Sequence, residues 1–432
     1  MTYTAGYSPT GLIREALSKK SDRALSALET RTGHSWKLAI DRAQVLPEPA
    51  ELPAALNLFI RTAAGARVTD LDGNAFIDLS MGYGAQVLGH NHPVARDAVL
   101  AQAERGWDFG LPAADQVELA RLIQAASPAN ERVMLVNSSA DALAAAISRA
   151  QMFTGREAVA VFSASSDTGG EAWTYGDNAA ITRLRRDPPA AVVVEPVQTA
   201  LPTLDHVAWL ADLTAAARAA GVLVIFDETY TGFRLAFGGA QELLGVMPDL
   251  SVYGRAVGGG LPLGALAGRA DIMQGRAPQA PFHGNPISIA AGVATLRELL
   301  AQRAAVYPKL NEAGRKLAED FNALCAAERL PAAMRGVGSM FRIVFEAAPA
   351  AETAFYLFAL SRSIFINASK TGFLSAAHRA AELDYAASAF AESLRDVRDD
   401  GLFALNPARA KTAHMVRQQP QRRGDIRRGE LP

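Results

Sequence analysis

Three polar side chains stand at the ends of short apolar runs, where a sheet-based protein keeps its chemistry. Asn137 follows VMLV, Glu195 follows AVVV, and Asp227 closes VLVIFD. A carboxylate in such a place can hold a protonated nitrogen, or it can pair with a nearby arginine. Arg255, in DLSVYGRAVGGG, supplies a guanidinium whose forked donors suit a carboxylate or a phosphate. Ser138 and Ser139 stand just before the helical run DALAAAISRAQMF, followed by Asp141. Residues of these types cap a helix, and the same helix terminus offers backbone donors to an anion. His283, in PFHGNP, is a candidate polar contact for a ligand or for a neighbouring subunit.

The amines restrict the chemistry further. The chain has seven lysines, at positions 19, 20, 37, 309, 316, 370 and 411, and none from Leu38 to Pro308. Forming an imine with a carbonyl requires a neutral primary amine. Arginine, with a pKa above about 12, is neither that nucleophile nor a proton shuttle.

The elements that carry these residues follow from hydrophobic patterning. Residues 1–45 read as a polar helical arm, and QVLPEPAELPA as a proline-rich linker. LFIRTAAGARVTDLDGNAFIDLSMG alternates around Asp72-Gly73, as a β-hairpin does; its DLDGN lacks the glycine and glutamate that a calcium loop needs. From residue 91 to 300, apolar strands alternate with amphipathic helices, which predicts a mainly parallel sheet covered on both faces. The ligand of such a sheet sits at the carboxyl ends of its strands. Residues 301–405 read as a smaller α+β domain, with MFRIVF and IFINAS as strands, and residues 46–90 are assigned to it. Residues 406–432 form a basic tail low in apolar content.

Composition narrows the class. A net charge of −1 over 432 residues argues against a dedicated nucleic-acid surface, and no apolar run approaches a membrane span. One cysteine, Cys325, excludes an internal disulfide or a cysteine-rich metal site. The start lacks the apolar core of a secretory signal, so a cytoplasmic location is expected.

From about residue 45 to 400 the chain resembles the class III aminotransferases, closest to the glutamate-1-semialdehyde aminomutase branch. The resemblance rests on DLDGNAFIDLSMGYGAQVLGHNHP, VMLVNSSADALAAAISRAQMFTGR, VIFDETYTGFR, GGGLPLGA, HGNPISIAAGVATL and GVGSMFRIVF, in the family's order. It implies a fold-type I, pyridoxal-phosphate (PLP) transferase-like α/β fold and a dimer, either of two identical chains or with an active paralogue, in a biosynthetic setting. It also implies roles. Asp227 matches the acid beside the pyridine nitrogen, and Arg255 stands at the position of the imine lysine. VNSSADA replaces the usual phosphate cup, so Ser138, Ser139, Glu195 and His283 line an ancestral pocket. The family's stacking Tyr-His-Gly gives way to SASSDTGGEAWTYGDN, in which Trp173 and Tyr175 either stack on a ligand or cover the core. Pro281 stands where the family carries a threonine that reaches the neighbouring subunit's phosphate. Lys370, in the loop that faces the active site in relatives, is either a substitute amine or a solvated turn residue. Gln198 and Thr229 either shape the pocket or satisfy local backbone groups. The expectation is a homologue without PLP-imine transamination. Such a chain binds no covalent cofactor, holds PLP or pyridoxamine phosphate (PMP) weakly if at all, and has room for a small anionic ligand. The alternative is an active enzyme using a non-standard amine such as Lys370.

Overall fold

The computed structural model describes residues 19–45, 58–162, 170–275, 281–346, 349–367 and 371–404. Lys370, the basic tail, the beginning of the arm and residues 163–169 of the stacking loop lie outside them. Two helices, Lys19–Arg31 and Gly33–Val45, precede an antiparallel hairpin unit of β1 (Ile60–Ala64), β2 (Arg67–Asp70) and β3 (Ala75–Asp78). The DLDGN segment turns because Asp70 Oδ1 accepts the N–H groups of Asp72 and Asn74, at 3.0 and 2.7 Å.

A seven-stranded sheet then forms from β4 (Arg132–Val136), β5 (Val159–Phe162), β6 (Glu171–Ala172), β7 (Ala191–Val194), β8 (Leu223–Glu228), β9 (Leu250–Tyr253) and β10 (Gly264–Gly268). Its order is β4-β10-β9-β8-β7-β5-β6, and β10 alone runs antiparallel to its neighbours. Alternate residues of the buried strands serve opposite faces, as the two-residue strand period requires. Val193 and Ile225 pack with Ala142 and Ala146 of the helix Ser139–Thr154, whereas Val194 and Phe226 pack with Trp209 and Leu213 on the other side. Register sets the functional edge. Phe162 pairs with Val194, and Val194 with Phe226, so the next residues, Glu195 and Asp227, emerge side by side. Glu228 pairs with Tyr253, and Gly264 with Val136, which brings Gly254-Arg255 and Asn137 to the same edge.

The remaining strands are β11 (Ala332–Val337), β12 (Met340–Phe345), β13 (Ile364–Phe365) and β14 (Gly372–Phe373). Of the expected strand IFINAS, Ile364-Phe365 form β13, which pairs in parallel with β3, and Ala368 and Ser369 lie outside the described residues. The second edge of β12 is taken by β14, while β3 has an edge to offer. Between these strands lies the helix Pro349–Ser361, apolar around most of its circumference and almost wholly buried.

Candidate functional site

The carboxyl edge of the sheet gathers most of the residues singled out by sequence. Asp227 is 8% exposed and accepts the Thr229 N–H at 3.0 Å. Burial pushes its carboxyl up to about 6; Glu195 adds to the rise, while Thr229 and Arg255 oppose it. Glu195 is 2% exposed and accepts the Thr199 N–H at 2.7 Å. Gln198 donates to the Phe162 carbonyl at 3.0 Å, so it and Thr229 serve local groups of the pocket wall.

Arg255 does not pair with Asp227. Among the described residues no ion pair joins them. Instead Nη2 of Arg255 donates to the Tyr230 hydroxyl at 3.1 Å, and the guanidinium lies 5.7 Å from the Tyr83 ring centre and 5.1 Å from that of Tyr230. The physical reason is position: Arg255 is exposed at the rim with φ of 48°, whereas Asp227 is buried in the floor. The two remain close enough for the charge of Arg255 to act on the Asp227 carboxyl.

Ser138 caps the helix Ser139–Thr154. Its hydroxyl accepts the Asp141 N–H at 3.2 Å and donates to the Asp141 carboxylate at 2.8 Å. The helix terminus is therefore occupied by its own serine and its own negative charge. Ser139 lies hard against the turn that carries Arg255: a Cβ added to Gly254 would come within 2.8 Å of Ser139 Cβ. Asn137 donates to the Pro281 carbonyl at 2.8 Å, which ties the turn holding half-buried His283 to the end of β4.

Trp173 and Tyr175 cover the core. Trp173 packs edge-on against Phe162, and Tyr175 packs on Trp209 with its hydroxyl donating to the Pro196 carbonyl at 3.1 Å. Burial pushes the Tyr175 phenol up to about 12, with Glu195 adding to the rise. Four other residues meet Arg255 or its supports and were not selected from sequence: Tyr83, Tyr230, Arg234 and Phe373. The signals were an aromatic between glycines in MGYG and the clustered aromatics of TYTGFR.

Comparison with known proteins gives the family and the fold. Residues 50–167 and 171–380 match the family described as Aminotransferase class-III. The chain belongs to the class III aminotransferase family. A glutamate-1-semialdehyde 2,1-aminomutase of Methanoculleus marisnigri is 36% identical over 389 residues, covering 78% of this chain and 92% of the relative. One from Myxococcus xanthus is 36% identical over 332 residues, covering 68% and 77%. Among solved structures, a β-phenylalanine aminotransferase from Variovorax paradoxus superposes with a TM-score of 0.81 at 27% identity, covering 87% of this chain and 96% of that one. The fold is that of the fold-type I, PLP-dependent transaminases.

Bound PLP supplies an electron sink to such folds, and the protein contributes an amine, an acid and an anion cradle. This class III member fits the cofactor at the acid, through buried Asp227. It does not fit at the amine, because the rim position next to Ser139 and Tyr230 carries a guanidinium. At the helix terminus the Ser138 hydroxyl is engaged with Asp141 as the cap, which leaves the backbone N–H groups as the donors for an anion. The described lysine side chains lie elsewhere: Lys20 and Lys316 pair with Asp396 and Asp320 on the surface, and Lys37 and Lys309 are exposed. Covalently held PLP therefore does not fit the described residues.

Among the described residues, no group of three or more His, Cys, Asp or Glu is arranged to hold a metal ion. Among them, too, no helix is long and apolar enough to cross a membrane.

Proposed function

We propose that this class III aminotransferase has given up imine transamination and keeps the pocket as a binding site for a small carboxylate, acting as a non-catalytic partner subunit. The observation that carries the reading is Arg255: an exposed guanidinium hydrogen-bonded to a phenol and not ion-paired to Asp227, at the sheet edge that also carries the buried acids Asp227 and Glu195. A guanidinium held this way binds a carboxylate through two parallel N–H donors. A ligand ammonium directed toward Asp227 and Glu195 would be attracted, which favours an amino acid over a simple acid. The cytoplasm is the compartment that suits such a partner of a biosynthetic enzyme.

The surface supports the partner role. Trp107 is 72% exposed and Leu111 76%, alongside exposed Phe109, Leu100, Val117 and Phe282. An apolar surface of this kind favours burial against a second chain. We assign that chain as a second copy or an active class III paralogue, with sedimentation of the protein alone and mixed with the paralogue as the test.

A second reading keeps Asp227 for a pyridine nitrogen, with PMP held noncovalently or with Lys370 supplying the amine. The burial of Asp227 favours it. Two measurements separate the readings. Protein loaded with PLP or PMP and passed through a desalting column should retain well under one cofactor per chain. Calorimetry with 5-aminovalerate, which carries one carboxylate and one ammonium, should show binding that falls about tenfold or more in Arg255→Gln, the loss of a charge-assisted pair. Retention of one cofactor per chain, with no 5-aminovalerate binding, would overturn the proposal in favour of the second reading.

A further inference from the structure

Arg234 is fully buried, and among the described residues no carboxylate pairs with it. Its Nη1 donates to the Leu374 carbonyl at 2.8 Å and to the Ser339 hydroxyl at 3.2 Å; its Nη2 donates to the Gly84 carbonyl at 2.5 Å. Nε has no acceptor. Burial lowers its pKa to about 9, so it still carries its charge at neutral pH. A buried charge without a counter-ion is costly, and a neutral side chain would fill the space at less expense. The guanidinium is therefore expected to hold something that a neutral side chain could not.

What it holds is a closed chain of contacts that includes the rim arginine. Arg234 lies over the Phe373 ring at 5.0 Å, and Phe373 stacks on Tyr230 at 5.9 Å with 11° between the ring planes. Tyr230 takes the hydrogen bond of Arg255 and lies 5.1 Å from its guanidinium, which in turn lies 5.7 Å from Tyr83. Tyr83 adjoins Gly84, whose carbonyl returns to Arg234. The segment bearing Tyr83 is strained: Met81, Gly82, Tyr83 and Gly84 have φ of 45°, 59°, 54° and 84°. Met81 and Tyr83 carry side chains that disfavour this left-handed turn, so it persists only where its surroundings hold it. Asp78 holds its start by accepting the Ser80 and Met81 N–H groups, and Arg234 holds its end. Gly84 could not be replaced, because a Cβ there would meet the Phe373 ring at 2.9 Å.

We infer that Arg234 is the positioning residue for Arg255, acting through Phe373 and Tyr230 on one side and through Gly84 and Tyr83 on the other. The inference rests on reading Arg255 as a carboxylate-binding group. It explains how an exposed guanidinium, on a turn at φ of 48°, comes to lie against both Tyr83 and Tyr230. Without the buried anchor, Tyr83 and Tyr230 would no longer fix the plane of the Arg255 fork, and the site would lose preorganisation rather than donors.

The test uses the full chain labelled with 13C-arginine. The Arg255 side-chain protons, assigned by their loss in Arg255→Lys, should resonate upfield of free arginine because two aromatic rings flank them. In Arg234→Lys and Phe373→Leu they should move toward the free value, and 5-aminovalerate should bind about tenfold more weakly. Tyr83→Leu should do the same, and Tyr83→Phe, which restores the ring, should retain both the shift and the affinity. If Arg234→Lys does not fold, the Phe373 and Tyr83 variants carry the reading. An Arg255 resonance unmoved in folded Phe373→Leu and Arg234→Lys would overturn the positioning role. A resonance that moves as expected in a protein that never binds 5-aminovalerate would support the positioning role and overturn the carboxylate reading instead.

Discussion

Asp227 and Arg255 face one pocket and are held by different kinds of structure. Asp227 sits in a strand whose neighbours on both sides pair in parallel register, with Ile225 and Phe226 packed into opposite cores. Arg255 sits after the last residue of β9, in a short 3-10 turn with a left-handed backbone, and depends on aromatic side chains from two distant segments. The floor is fixed by the core of the fold, and the rim is fixed by turns. A lineage can therefore exchange the rim chemistry while the floor keeps its acid, since a change at the rim does not disturb the sheet.

If that contrast is right, floor substitutions act on stability and rim substitutions act on ligand contacts. The largest effect should come from Phe226→Ala, which empties a fully buried site and should destabilise by about 3–5 kcal/mol in urea unfolding. A loss below about 1 kcal/mol would break the comparison at its root. Asp227→Asn comes next. The folded carboxyl is raised from 3.8 to about 6, chiefly by burial, so its stabilising contribution is complete below about pH 3.8 and is lost as pH rises through about 6. Asparagine lacks that loss. The stability of the variant relative to the parent should therefore rise between pH 4 and pH 7 by on the order of 2 kcal/mol. A flat difference would show that Asp227 is solvated or paired. Ser138→Ala removes the cap of the helix Ser139–Thr154 and should cost about 1 kcal/mol, with unfolding midpoints as the readout. The smallest effect on stability belongs to Arg255→Lys, within about 0.5 kcal/mol because the side chain is exposed. That variant should also fail to transaminate, since the altered cup Ser138-Ser139-Ala140-Asp141 and the altered stacking loop would remain; robust activity would mean the rest of the pocket is intact.

The floor was legible in the sequence because its physics is local. Apolar runs of four to six residues ending in Asn137, Glu195 and Asp227 specify both the strands and the edge at which they end. The cap by Ser138 and the turn at Asp70–Asn74 were legible for the same reason, as side chains bonding to backbone a few residues away. The rim was not. Tyr83, Tyr230, Arg234 and Phe373 come from three separated segments, and only the tertiary fold shows that they meet Arg255 or one another. An ion pair between Arg255 and Asp227 was a reasonable expectation from charge alone, and it failed because sequence does not report that one residue is buried and the other is at the rim. The helix Pro349–Ser361 escaped for another reason: with most of its surface apolar it has little amphipathic period to read.

The central claim, that no lysine of this chain forms an imine in the old cofactor pocket, is open to one direct measurement. The purified protein is incubated with PLP, scanned for the violet absorbance of an imine, reduced with borohydride, and digested for peptide mapping that covers all seven lysines. Only diffuse surface labelling, displaced by competing amine, is predicted. A single stoichiometric adduct, on Lys370 above all, would contradict the account and make this chain an enzyme with a relocated amine.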